Sequence, residues 1–184
     1  MAVNSDTATD VAAVATAVGQ PEGQWSLDAA RSRAEFHVAH FWGAITVHGH
    51  FERLRGEGTV GPDGTFSGRL VIDAASLTTK NTKRDQHLRS AEFFDVARHP
   101  DVVVSVRDLT LTGATALRGR VAVEAAGREQ EFEATGTVLE AGPDAATLRC
   151  ELVFDRTAYG MTWSPLGMAS RTVRALVIAR FVRP

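Results

Sequence analysis

The sequence predicts an all-β protein whose strands form an antiparallel meander closed into a barrel. From Trp25 onward, apolar and polar residues alternate with period two, the signature of a strand with one face buried. Turn formers such as Gly61-Pro62-Asp63-Gly64 and Gly142-Pro143-Asp144 divide the alternation into seven to nine segments, each about 8–12 residues long. Every segment has an apolar face that must meet the others, and closing a short-turned meander into a barrel also removes its exposed edges.

The elements follow in order. In Arg33–His40, Ala34, Phe36, Val38 and His40 share one face, with Arg33, Glu35, His37 and Ala39 on the other. After Gly43, Ile45, Val47, Gly49 and Phe51 alternate with Thr46, His48, His50 and Glu52. Phe66, Leu70 and Ile72 mark the inward face of the next strand, and Val102, Val104 and Val106 that of a later one. A shorter strand around Leu117–Glu124 turns through Ala125-Ala126-Gly127-Arg128. Gln130, Phe132, Ala134, Gly136 and Val138 then oppose a row of Glu and Thr, and Leu148, Cys150, Leu152 and Phe154 oppose Arg149, Glu151 and Asp155. The last strand, Thr172–Val182, is apolar on both faces, so its pattern does not choose an inward side. Around eight strands enclose an interior that side chains can fill or that holds one small ligand. Inward Gly49, Gly68, Ala134 and Gly136 would leave room there, although strand glycines also mark bends.

One segment breaks the alternation, Thr78 to Pro100. Asn81 or Thr82 can cap a short helix running to about Arg89, and Ser90 can cap a further turn carrying Phe93 and Phe94. Asp85 and Arg89 stand four residues apart, the spacing of a helical ion pair. His99 precedes Pro100, which biases it to extended geometry and restarts the strands. Burying two phenylalanines contributes roughly 3–6 kcal/mol, so this insertion, around residues 81–95, reads as a structural plug.

The totals narrow the function classes. A length of 184 residues fits one domain with a sizeable core, and a net charge of −2 gives no Lys/Arg excess for nucleic acid. Cys150 is the only cysteine, which excludes an internal disulfide, and its alternation with Leu148 and Leu152 marks a buried small hydrophobe. No stretch reaches the roughly 18 apolar residues of a membrane-spanning helix. Residues 1–23 lack Lys and Arg, carry Asp6 and Asp10, and end at Pro21-Glu22-Gly23. They read as a flexible tail rather than an export signal, and cytoplasm is the expected location.

The interrupting segment spells Arg84-Asp85-x-His87-Leu88-x-Ser90-x-x-Phe93-Phe94-Asp95, then Pro100. With it occur Trp25-x-Leu27-Asp28, Ser32-x-x-x-Phe36-x-Val38-x-His40, Val47-x-Gly49-x-Phe51, Leu77-x-Thr79 and Asp155-Arg156-x-x-Tyr159-Gly160-Met161. In order and spacing this composite resembles the YceI-like family of polyisoprenoid- and lipid-binding proteins, from about Trp25 to Val182. The resemblance implies an eight-stranded antiparallel up-and-down barrel, lipocalin-like in shape, with a tunnel for an isoprenoid chain or fatty amide. Members of the family are often exported, and some are cytoplasmic. They commonly carry an acidic residue just before the last strand, where this chain reads Ser170-Arg171-Thr172.

The expected function is therefore non-catalytic binding, transport or sequestration of a polyisoprenoid (a polyprenyl chain or its phosphate) or a fatty-acid derivative. Phe36, Val38, Phe51, Phe66, Phe93, Phe94, Phe132 and Phe154 are the expected lining, with His40, Arg84 and Trp163 near the mouth for a polar head. No cofactor and no metal is expected. His37, His48 and His50 could share an outer face, but neither cysteine nor an H-E-x-x-H pattern supports a zinc site. The alternatives are a small barrel enzyme, a hydrolase or isomerase of an apolar substrate, and a self-filled barrel that serves interaction. The absence of a G-x-S-x-G elbow weighs against the enzyme. Barrels of this type can pair through exposed surface, so a homodimer stays open.

Overall fold

The computed structural model describes residues 23–184. The expected tail over residues 1–23 lies outside them, except for Gly23, which begins the first strand. The strands are β1 (Gly23–Leu27), β2 (Arg33–His40), β3 (Ile45–Phe51), β4 (Leu54–Val60), β5 (Phe66–Asp73), β6 (Leu77–Thr78), β7 (Asp101–Leu111), β8 (Ala116–Ala125), β9 (Arg128–Ala141), β10 (Ala145–Asp155) and β11 (Ala169–Val182). A single α-helix among the described residues, α1 (Thr82–Arg89), lies between β6 and β7.

These segments form a closed, eight-stranded antiparallel up-and-down barrel, because two of its long strands are each broken once. β1 and β2 together make the first strand. Both lie along β11, with Leu27 opposite Phe181 and Val38 opposite Val173, and this pairing closes the ring. At the break, Ser32 Oγ accepts from the Arg180 amide at 2.9 Å and donates to the Asp28 carbonyl at 2.7 Å, so the ladder loses no partner. β3 and β4 make the second strand. Where it bends, the amides of Glu52 and Arg53 both donate to Ser76 Oγ at 3.1 Å.

The ambiguous last strand turns Val173, Ala175, Val177, Ala179 and Phe181 inward. Its outward Arg174 and Arg180 pair with Glu151 and Glu140 across β10 and β9, which fixes the register.

One end of the barrel is packed shut. Trp25, Val60, Phe66, Ala179 and Phe181 fill it, the rings of Phe66 and Phe181 lie 5.2 Å apart, and the Arg183 guanidinium sits 5.2 Å over the Trp25 ring. The insertion between β5 and β7 sits at the opposite end. Asn81 caps α1, its side-chain oxygen accepting from the Arg84 amide at 3.1 Å, and Ser90 Oγ donates to the His87 carbonyl at 2.7 Å. The expected Asp85–Arg89 ion pair does not form. Asp85 instead turns back to accept from the Thr79 amide and hydroxyl at 2.8 and 2.5 Å and from Thr78 Oγ1 at 3.2 Å. Arg89 reaches the carbonyls of Ala75 and Leu77. Both side chains tie the helix to the preceding turn, where more hydrogen bonds can be satisfied than along the helix surface.

Two hairpins also stand at this end, and their turns contrast. In β8–β9, Ala126 and Gly127 have φ of 50° and 71°, left-handed geometry with glycine in the second place. In β2–β3, Gly43 N donates to the His40 carbonyl at 3.1 Å across Phe41 and Trp42, whose φ values are 50° and 54°. This turn geometry favours Asn-Gly, and a bulky L residue there costs about 1–2 kcal/mol.

Candidate functional site

The barrel encloses a cavity of about 280 Å³ that reaches from the packed end to α1. Its middle is lined by aliphatic side chains, among them Leu70, Ile72, Val104, Val121, Val123 and Val177, each placed inward by strand alternation. Phe36, Val38, His40, Phe51, Phe66, Arg84, Phe93, Phe94, Phe154 and Trp163, all expected from the sequence, stand in its wall. Phe132 does not. The β9–β10 ladder stops at Gly136 and Cys150, and the Phe132 ring packs 6.0 Å from Phe154 where the two strands part.

Gly68, Ala134 and Gly136 stand in the cavity wall as the pattern suggested, but Gly49 opens no guest space. A Cβ on Gly49 would fall 2.2 Å from the Phe36 ring, and one on Gly58 would fall 2.4 Å from Phe66. These glycines are seats for aromatic rings. The remaining space comes from the aliphatic middle of the barrel, where the side chains are too short to meet across it.

At the mouth, aromatic and polar groups interlock. His87 stacks edge-on against Trp163 at 4.4 Å and Phe93 at 5.1 Å, and its Nε2 lies 2.6 Å from Glu92 Oε2. Phe94 packs at right angles to Phe51, 5.8 Å away. Arg84 lines the mouth, but its Nε and Nη2 donate to Thr79 Oγ1 at 2.7 Å and to the Thr79 carbonyl at 3.0 Å. Asp85 faces Thr79 and His87 faces Glu92, so Arg84, Asp85 and His87 do not converge as an acid–base group.

Among the wall residues missed by the strand pattern are Arg156 and Tyr159. Both sit on the 3₁₀ turn Arg156–Tyr159, where period two assigns no face, although the Asp155-Arg156-x-x-Tyr159 motif marks them. Arg156 is 4% exposed and donates to the carbonyls of Met161, Ala169 and Ser170, with its guanidinium 5.8 Å from the Phe93 ring. Burial pulls its pKa down. Tyr159 is 2% exposed, and its hydroxyl has no partner among the described residues.

Burial pushes the Tyr159 phenol up to about 12. A folded pKa above the unfolded value of about 10 contributes stability that is intact below pH 10 and lost as the pH rises toward 12. Stability of the wild type should therefore fall across that window, and Tyr159→Phe should flatten the fall. Urea titrations at stepped alkaline pH measure it, and identical slopes for the two proteins would refute the assignment. Burial, then the charge of Glu151, also raises the Cys150 pKa, which suits its place as a wall hydrophobe.

On the outer face, His37 and His48 pair across β2 and β3 with ring centroids 4.4 Å apart, and Glu35 Oε2 lies 3.8 Å from His37 Nε2. His50 pairs with Glu35 in register. Among the described residues no three His, Cys, Asp or Glu side chains converge on a metal position.

An eight-stranded barrel with one sealed end, an apolar interior and a helical plug at the other end defines the class of lipocalin-like barrels. The chain belongs to the YceI-like family: the YceI-like domain model matches residues 25–179. It is similar to a UPF0312 protein of Enterobacter sp. (strain 638), 30% identical over 124 residues that cover 55% of this chain and 62% of that protein. A UPF0312 protein of Staphylococcus aureus (strain N315) is 28% identical over 88 residues, 47% of this chain and 51% of the relative. The chain thus spans about half the length of the curated relatives it matches. Among solved structures, Burkholderia cenocepacia BcnA superposes with a TM-score of 0.76 at 15% identity, covering 84% of this chain and 98% of that one. A polyisoprenoid binding domain from Saccharophagus degradans gives 0.72 at 18% identity, covering 87% and 98%. Both likenesses are of fold.

Proposed function

We propose that the barrel takes up one apolar chain, a polyisoprenoid or a fatty-acid derivative, and carries or sequesters it without altering it. The cavity carries this reading: a closed, apolar interior favours a guest that gains by leaving water. The Saccharophagus degradans neighbour, described as polyisoprenoid-binding, supports an isoprenoid as the first guest to test. A polar end would rest near Arg84 and Trp163 at the mouth or meet the Tyr159 hydroxyl deeper in, where a buried phenol normally has a partner.

The test is organic extraction of the purified full chain followed by mass spectrometry, with titration of added polyprenyl phosphate and fatty acid. A stoichiometric co-purifying lipid, or saturable uptake of either probe, is expected. Repeated absence of both would overturn the reading. Turnover of an apolar ester that is lost in His40→Ala while the fold persists would favour the enzyme instead.

A further inference from the structure

The cavity mouth is surrounded by apolar side chains that face water. Five of the seven exposed large hydrophobic residues among the described ones stand there: Phe41, Trp42 and Ile45 on the β2–β3 hairpin, and Trp163 and Leu166 on the loop between β10 and β11. Trp42 is 75% and Leu166 84% exposed. The two groups are neighbours, since His40 beside the hairpin turn pairs with Ala169, and Ser164 Oγ is hydrogen-bonded to the Ala169 amide at 3.0 Å. Trp163 joins them to α1 through His87.

Three cations without a described ion-pair partner stand around this patch, against two such carboxylates, Glu124 and Glu129, below the β8–β9 turn. Lys80 and Lys83 are the chain's only lysines, both are exposed at this end, and neither pairs with a described carboxylate. Arg128 is exposed there too, beside Gly160, again without a described carboxylate partner. Most exposed arginines on the barrel wall are instead matched, as in Arg55–Asp101, Arg118–Glu133 and Arg120–Asp108, with Arg69 on β5 the exception.

The hairpin turn adds an independent observation. Phe41 and Trp42 occupy left-handed positions suited to Asn-Gly, yet Trp42 is 75% exposed and Phe41, though its ring meets His40 edge-on, still faces water.

We propose that this mouth docks on the surface of an anionic lipid bilayer. Phe41, Trp42 and Leu166 enter the headgroup region, where aromatic and aliphatic side chains partition, while Lys80, Lys83 and Arg128 meet lipid phosphates. A guest then passes between bilayer and cavity past α1 without crossing water. The purpose rests on the apolar-guest reading, but docking is measured with no guest present.

The test is co-sedimentation of the full chain with phosphatidylcholine vesicles and with phosphatidylcholine–phosphatidylglycerol vesicles. Binding to the anionic vesicles, weakened by salt, is expected. Lys80→Glu with Lys83→Glu should reduce it by about tenfold or more, since each basic residue near such a surface contributes about 1 kcal/mol. Phe41→Asn with Trp42→Gly should also reduce it by about tenfold or more, while raising the melting temperature because the turn then suits its backbone. A stabilised variant cannot owe its loss of binding to misfolding. Equal, salt-insensitive sedimentation with both vesicle types, or full binding by the Asn-Gly variant, would overturn the proposal. So would a concentration-dependent dimer that the Asn-Gly change abolishes in a protein that ignores vesicles, because the occupant would then be a second copy. Probe uptake from solution is scored separately. Docking without uptake refutes only the carrier reading, and uptake without docking refutes only this one.

Discussion

Asp85→Ala lowers stability by about 3 kcal/mol, the largest loss expected from any single polar side chain in the insertion. The carboxylate is 6% exposed and accepts from the Thr79 amide, the Thr79 hydroxyl and the Thr78 hydroxyl. Hydrogen bonds to a charged group contribute about 1.5–3 kcal/mol each, and a buried amide left unpaired costs about 1–3 kcal/mol. No longer burying a carboxylate recovers part of this, so the net sits well below the sum. Against a typical stability of about 5–15 kcal/mol, the change is large. Burial raises the Asp85 pKa, but the bonds from Thr79 and Thr78 and the charge of Arg89 outweigh it and hold the carboxyl below its ordinary range. A lowered folded pKa contributes stability that is present above the unfolded value of about 4 and lost as the pH falls through the folded one. The gap between wild type and Asp85→Ala should therefore be full at neutral pH and close in acid. Urea unfolding at stepped pH measures both, and a neutral-pH change under about 1 kcal/mol would show that the clasp does not hold the plug.

The role of Asp85 marks where the sequence stops being legible. Its helix spacing to Arg89 is real, but a side chain bonds wherever its charge is best satisfied, and the buried Thr79 amide lies six residues back. The barrel itself was readable, because inward and outward residues must alternate in a half-buried strand, and that rule placed Phe36, Val38, Phe51, Phe66 and Phe154 in the cavity wall. It turned Phe132 onto the core as well, but the strand parts from its neighbour before that level and the ring stays out of the cavity wall. It said nothing of Arg156 and Tyr159, which stand on a 3₁₀ turn. Gly68 and Gly136 border the cavity as read, but Gly49 opens no space. A missing Cβ on one strand is an invitation to the ring across from it, and Phe36 opposite Gly49 accepts it.

A side chain that fills the aliphatic middle should abolish most of the binding while leaving the barrel standing. Val104 faces the cavity from β7, opposite Leu70 on β5 and Val123 on β8, all three in the wall. Val104→Phe adds about four carbons at this level, and a guest that must withdraw about four methylenes loses about 3 kcal/mol at roughly 0.8 each. Affinity for a polyprenyl phosphate or fatty-acid probe should fall about a hundredfold. Stability of the guest-free protein should change by no more than about 1.5 kcal/mol, because the ring enters space already present instead of forcing neighbours apart. Phe132→Leu supplies the opposite pattern. It removes packing against Phe154 in the seam between β9 and β10, so stability falls by about 1 kcal/mol or more, while the cavity wall and the probe affinity stay as they were. Fluorescence titration and thermal unfolding of the two variants separate the effects. A guest lodged on the barrel's outside would be indifferent to Val104→Phe, and that result would place the binding surface elsewhere.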